Sequence, residues 1–284
     1  MSSRLVDAHA HLWRRERTPQ PWIDSVTMAG IERDFWVDDL ARAEDEVGAL
    51  GAVLVQSANS RQETLDLLAL HDDPRVLGIV GWVDLTGDVE TQIRRLRDAP
   101  GGDQLVGVRH LVHQDQDSGW LARDAVGVGL EALAAAGLPF DLVLNAEQLT
   151  LAADTVAAHP GVRFVLDHLA KPDLVTGDLR RWSQDLRRIA ALPNVVAKVS
   201  GLTMAADWDA WTVDELRPAI DLALDAFGPD RIMFGSDWPL VTLCRGYGAW
   251  LAAARVAFEH LAPVDRDRVL AGTAIDTYQL RVDA

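Results

Sequence analysis

The sequence predicts a (β/α)8 barrel, and three observations carry that expectation. Short β-branched or apolar runs alternate with helix-length segments along the chain. There are eight such runs, and eight β-then-α units in about 250 residues is the size of a barrel of this kind. The competing architecture, a doubly wound open sheet, places a Gly-rich turn after its first strand, whereas this chain reads AHAHLW there.

The predicted strands are residues 5–11, 52–57, 78–84, 107–111, 140–144, 163–168, 195–200 and 232–237. Between them the helix signals are explicit. Ser60 with Glu63 forms a capping-box pattern ahead of Leu65, Leu67 and Leu68. Gly137 stops the segment 130–136, and Pro139 follows it. His71, His159 and His260 each fall at a predicted helix C-terminus, where the helix dipole favours a partly positive imidazole, and all three read as structural. No linker or compositional break interrupts the pattern, so one domain over residues 1–284 is expected. The segment 12–36, with Trp13, Pro19, Pro21 and Trp22, is too long for an ordinary βα loop. At the catalytic face of a barrel it would form a lid; otherwise it is a surface excursion.

Composition narrows the function classes. Apolar residues make up 49% of the 284, which excludes a chain disordered by composition. The formal charge of −16 would repel nucleic acid and anionic membrane surfaces. No apolar run approaches the roughly 18 residues needed to cross a bilayer. Cys244 is the single cysteine, so no intrachain disulfide can form. A first strand starting by Leu5 leaves no room for a signal peptide, and these features together predict a cytoplasmic protein. A homo-oligomer is left open. Of 27 basic residues only Lys171 and Lys198 are lysine, which suggests that those two positions need an amine.

The first strand, VDAHAHLW, raises a physical problem. Asp7, His9 and His11 alternate with Val6, Ala8, Ala10 and Leu12, and a sealed core would not tolerate three unpaired ionisable groups in a row. In a barrel the apolar set is expected to face the helices. Asp7, His9 and His11 would then point inward near the C-terminal mouth, where barrel enzymes keep their chemistry. Two such histidines lie roughly 6.5–7 Å apart along a strand, close enough for their rings to converge. DHLAKP places His168 at the end of the sixth strand, and FGSDWP places Asp237 at the end of the eighth. His9, His11, His168 and Asp237 from three strand ends make a metal-type or acid–base constellation.

Other strand ends supply candidate substrate contacts. Arg109 ends the fourth strand; it either grips a carboxylate or hydroxyl of a substrate or pairs with an inward acid. Gln56 and Trp82 end the second and third strands, where they could line a polyol pocket by hydrogen bonding and by stacking. Alternation turns His110 away from Arg109 and Asp167 away from His168. His113 and Trp120 lie in the loop after the fourth strand, at a pocket rim or on the surface. Asp7 is expected to orient a histidine through its second ring nitrogen, and Lys198 to join an interior ion pair. No GxSxG nucleophile elbow occurs, and no histidine is placed to activate Cys244.

VDAHAHLW, GVRHL, FDLVLNAEQL, RFVLDHLAKP, NVVAKVSGL and DRIMFGSDWP together resemble the amidohydrolase superfamily, and within it the branch of sugar lactonases. The likeness runs from Val6 to about Tyr278. It implies a distorted (β/α)8 barrel, metal- or carbonyl-binding histidines at His9, His11 and His168, a catalytic aspartate at Asp237, and a substrate-contacting Arg109. Two departures argue against a binuclear centre: no lysine lies on the fourth or fifth strand, and no histidine ends the fifth. At most one divalent ion is therefore expected, zinc by preference, held by His9, His11, His168 and Asp237. The implied reaction is ring opening of a small sugar-acid lactone by a water that Asp237 deprotonates. The alternatives are a decarboxylase or pyrone-dicarboxylate lactonase of the same superfamily and, in a different class, a non-catalytic sugar-binding protein.

Overall fold

The computed structural model of the chain describes residues 4–282. Eight parallel strands stand in sequence order: β1 (Asp7–Ala10), β2 (Ala52–Val55), β3 (Val76–Gly81), β4 (Leu105–His110), β5 (Phe140–Leu142), β6 (Phe164–Leu166), β7 (Val195–Val199) and β8 (Ile232–Phe234). The sheet closes between its first and last strands. Ala10 bridges Trp238, the Asp237 amide donates to the His9 carbonyl at 2.8 Å, and the His11 amide donates to the Trp238 carbonyl at 2.6 Å. This seam ties the backbone carrying His9 and His11 to the loop carrying Asp237. All eight predicted strands are present, and each ends one to three residues earlier than expected. Beyond those points the chain leaves the ladder for turns that aim side chains into the barrel mouth.

The helices α1 (Val37–Val47), α2 (Arg61–Leu68), α3 (Val89–Arg97), α4 (Asp124–Ala135), α5 (Leu149–Ala158), α6 (Arg180–Ala190), α7 (Val213–Phe227) and α8 (Tyr247–Ala257) follow the strands in turn. Two short helices, α9 (Pro263–Asp267) and α10 (Thr273–Tyr278), end the fold. Gly137 takes φ of 71° just past α4, as the stop signal predicted. The capping box at α2 is half made. Ser60 accepts from the Glu63 amide, while the Glu63 carboxylate turns to the amides of Ser57 and Ala58. Among the described residues no helix is long and apolar enough to cross a membrane.

Mostly small and β-branched residues fill the lower barrel: Val6, Ala8, Val53, Val55, Val80 and Val165, with Met233, pack with Tyr278 and Leu280 of the C-terminal segment. This corrects the expected facing of β1. Val6 and Ala8 were expected to face helices and are inside; Asp7 was expected inside and instead lies beside Glu44 of α1 and Tyr247 of α8. The cause is a register irregularity in the β1–β2 pairing between Asp7 and Ala10, which breaks strict alternation and lets His9 follow Ala8 inward. Asp7 touches no imidazole. Its Oδ1 accepts from the backbone amides of His9 at 3.0 Å and Ser236 at 2.8 Å, stitching β1 to the loop after β8.

The long segment 12–36 is pinned rather than hinged. Trp13 and Phe35 pair as an antiparallel bridge, and the Trp22 indole donates to the Ser57 carbonyl at 3.0 Å. Trp22 and Met28 from this segment line the cavity described below, so it forms a wall of the mouth.

Candidate active site

His9 lies on β1 and His11 just beyond it, with their Nε2 atoms 3.2 Å apart. The His11 Nδ1 sits 2.7 Å from the Val55 carbonyl, an acceptor only, so Nδ1 carries the proton and Nε2 the lone pair. His168 and Asp237 are positioned by strained backbone. After β6 the residues His168, Leu169, Ala170 and Lys171 take φ of 55°, 51°, 56° and 53°, and Asp237 takes 61°. None is glycine, and left-handed backbone at such residues costs about 1–2 kcal/mol each. The Lys171 amide closes the turn on the His168 carbonyl at 2.8 Å, and the Trp182 indole clamps the Leu169 carbonyl at 2.7 Å.

Asp237 Oδ1 then faces three imidazoles: His11 Nε2 at 3.3 Å, His9 Nε2 at 3.8 Å and His168 Nε2 at 4.0 Å. His168 is oriented from behind by Ser200 Oγ, 2.9 Å from its Nδ1. Gly201 was missed by sequence reasoning. A Cβ there would meet His168 Nδ1 at 2.6 Å and Asp237 Oδ2 at 3.0 Å, so only glycine fits between them. Its signal was present in the motif NVVAKVSGL, where a glycine directly follows a strand end.

Beneath these groups lies a buried ionic layer, which reaches the cavity through Arg109. Arg109 donates to Asp167 Oδ2 at 2.9 Å and to the Gln56 carbonyl, and its Nη1 stands 3.3 Å from His9 Nε2. Lys198 pairs with Asp141 at 2.7 Å and Asp167 at 3.0 Å, and lies 3.1 Å from His9 Nδ1. The Tyr278 hydroxyl donates to Asp141 at 2.7 Å. Lys198 is thus the interior ion-pair member the sequence predicted, and Arg109 does pair with an inward acid. Asp167 and His168 were expected on opposite faces, and both lie inside. Asp167 continues the inward alternation of Val165, with its Oδ1 3.4 Å from His9 Nδ1, and the left-handed turn that begins at His168 swings the imidazole in beside it.

Burial sets the protonation states. It holds His9 well below the usual imidazole range, with Lys198 and His168 adding to the effect against the pull of Asp167. It pushes His168 down to about 4 against the attraction of Asp237. Burial also works against the charge of Asp237, yet the surrounding His168, His11 and His9 win and hold its carboxyl below the usual range. At neutral pH the arrangement is one carboxylate facing the neutral imidazoles of His9 and His168.

These groups open onto a cavity of about 530 Å³. His11, Arg109, His168, Lys171 and Asp237 line its polar side, while Trp22, Met28, Leu111, Val143, Met204 and Trp208 give an apolar wall. His113 lines it as well. Gln56 and Trp82 do not, which corrects their expected role. Gln56 is fully buried and braces β4 through the Arg109 carbonyl at 3.0 Å. Trp82 donates to His110 Nδ1 at 3.3 Å. His110 stacks on Trp120 with ring centres 3.9 Å apart and meets Asp115 at 2.9 Å, a structural cluster that also takes Trp120 away from the rim.

The residues present fit one divalent ion. Donor atoms of His9, His168 and Asp237 lie within 4.8 Å of one another, and buried Asp237 Oδ1 accepts no hydrogen bond. The His11 Nε2 lone pair is adjacent. For a second ion the usual bridge is lacking. Neither β4 nor β5 carries a lysine, and Lys198 on β7 is engaged by two carboxylates.

Barrel, histidine pair and strand-eight aspartate define a class, and the amidohydrolase family model matches residues 6–280. The chain belongs to the amidohydrolase family and is a hydrolytic enzyme. Among its relatives, an L-fucono-1,5-lactonase of Burkholderia multivorans is 35% identical over 99% of this chain and 97% of its own length. An L-fucono-1,5-lactonase of Burkholderia ambifaria is 32% identical, covering 97% and 95%. The crystal structure of an amidohydrolase from Burkholderia multivorans with bound zinc superposes with a TM-score of 0.93 at 33% identity, covering 98% of this chain and 100% of that one.

Proposed function

We propose that the enzyme opens the ring of a small sugar-acid lactone, an aldonolactone such as L-fucono- or L-rhamnonolactone. The observation that carries this reading is Asp237, a buried carboxylate held ionised among three imidazoles at the polar side of the cavity. Asp237 removes a proton from a water that attacks the lactone carbonyl, a role worth about 10²–10⁴ in rate. His9, His11 and His168 stabilise the oxygen on which charge develops. The proton collected by Asp237 passes to the ring oxygen as it leaves. Arg109, fixed by Asp167 and Gln56, positions the substrate. The names and full-length similarity of the two Burkholderia lactonases support the same substrate class.

His9, His168 and Asp237, with His11 beside them, would hold one zinc ion, and such an ion would polarise the carbonyl. A location in the cytoplasm rests on the sequence, with Cys244 as its single thiol. The decisive experiment is a pH-indicator screen over an aldonolactone panel, with and without chelator. Acid release from aldonolactones is expected. Release of CO₂ from aromatic carboxylates instead would establish the decarboxylase, and saturable sugar binding without turnover would establish a binding protein.

A further inference from the structure

The two lysines of this chain, the only ones among 27 basic residues, are used in opposite ways. Lys198 is engaged by Asp141 and Asp167. Lys171 lines the cavity with Asp237, His168 and Arg109, and among the described residues its ammonium makes no hydrogen bond or ion pair. Its placement is bought with strain. It ends the left-handed run that begins at His168, so the turn that aims the imidazole also aims the ammonium at the same cavity. Lys171 is half-buried, so its ammonium is left to water or to a polar group that enters the cavity and displaces that water.

We infer that the Lys171 ammonium receives the lactone ring oxygen as it departs, stabilising the developing alkoxide by charge and hydrogen bond. The inference rests on the lactonase reading. With the carbonyl oxygen directed at His9, His11 and His168 and the water held by Asp237, the remaining oxygen on the reacting carbon is the ring oxygen, and it needs a donor. Asp237 can return the proton it collects from the water but brings no positive charge to meet the alkoxide. Both terminal nitrogens of Arg109 are taken, one by Asp167 and one by the Gln56 carbonyl. His113, pushed down to about 3 mainly by burial, carries no charge at neutral pH. Lys171 remains. In the step, the bond from water oxygen to carbonyl carbon forms and the ring C–O bond breaks. The electron pair stays on the ring oxygen, which takes the proton that Asp237 collected. Lys171 keeps its own protons and meets the negative charge in the interval.

The test is K171M and K171R on six-membered lactones graded by the acidity of the hydroxyl released, from aldonolactones to phenol-releasing dihydrocoumarin. Removing one such donor should lower kcat about 10²–10³-fold where the leaving oxygen is an alkoxide. The loss should shrink below about tenfold for the phenol, whose oxygen needs less help. K171R should recover part of the loss, with thermal unfolding unchanged. Equal losses across the series, a change in KM alone, or no loss would each overturn the assignment while leaving the lactonase reading intact. A wild-type enzyme that turns over no lactone would overturn both. Should K171M fail to fold, the same gradient is read on K171R, and a flat response there overturns the assignment.

Discussion

Two groups of ionisable side chains lie one above the other in this barrel. In the lower layer Asp141, Asp167, Lys198 and Arg109 are almost completely excluded from solvent, and every charge meets an opposite one, with Tyr278 closing the set. In the upper group His9, His11, His168 and Asp237 are nearly as buried, yet Asp237 Oδ1 accepts no hydrogen bond, and among the described residues the Lys171 ammonium beside them makes no hydrogen bond or ion pair. Burial alone does not distinguish a structural ionic cluster from a reactive one. The difference is charge pairing: every charge of the lower layer meets an opposite one, although Arg109 Nε, Asp141 Oδ1 and Asp167 Oδ1 make no hydrogen bond, whereas among the described residues the Lys171 ammonium of the upper group meets none. The lower layer also holds the upper in place, since Lys198, Arg109 and Asp167 all contact His9.

The sharpest way to break this contrast is Asp237→Asn. The isostere keeps the shape and removes the base, so kcat should fall by two to four orders of magnitude, about the worth of a general base. Circular dichroism and the melting temperature should stay near wild type. Turnover above half the wild-type value would remove Asp237 from its role. The complementary change, Lys198→Met, should act on stability. It leaves Asp141 and Asp167 buried without their shared cation, and breaking such a pair destabilises by about 3–5 kcal/mol. Denaturant unfolding measures it. A variant as stable as wild type would mean that the ion pairs of the lower layer do not carry the stability their distances suggest.

Metal content probes the upper group. At most one divalent ion per chain is expected, because the donors of His9, His168 and Asp237 suit one ion and no lysine on β4 or β5 bridges to a second. Elemental analysis giving two equivalents, or a carboxylated Lys198, would contradict this. Full activity in metal-free protein would instead assign carbonyl polarisation to the three histidines alone.

How much of this was legible in the sequence follows from how local each signal is. The eight strands were, because β-branched runs between capped helices are local patterns. The quartet was, because HxH and an aspartate near a strand end need only approximate placement. The facing of Asp7 was not, nor was the fact that Asp167 and His168 both lie inside. A register irregularity in β1 and a left-handed turn after β6 both break alternation, and neither follows from residue type when no glycine marks it. Lys171 showed only as a rare amine. That its charge is left unpaired depends on which carboxylates the fold brings near it. Gln56 and Trp82 were assigned by strand position alone, and their hydrogen bonds to β4 decide otherwise.

The smallest expected effect concerns substrate choice, where the unpaired character of the upper group matters most. The chain carries −16, so a dicarboxylate approaches against the field while a neutral lactone does not. Sequence reasoning found one mouth cation, Arg109; the fold adds Lys171 but ties Arg109 to Asp167 and the Gln56 carbonyl. One unpaired cation can meet one carboxylate and leaves the second facing Trp22, Met28, Leu111, Val143, Met204 and Trp208. That wall suits the methyl group of a 6-deoxy sugar better than a charge. Aldonolactones, L-fucono- and L-rhamnonolactone among them, should therefore exceed pyrone dicarboxylates in kcat/KM at fixed ionic strength. Arg109→Ala should raise KM more than it lowers kcat, since Arg109 positions rather than reacts. A dicarboxylate favoured by tenfold, about 1.4 kcal/mol, would mean that Arg109 leaves the lower layer when substrate binds and that the boundary between the two groups moves.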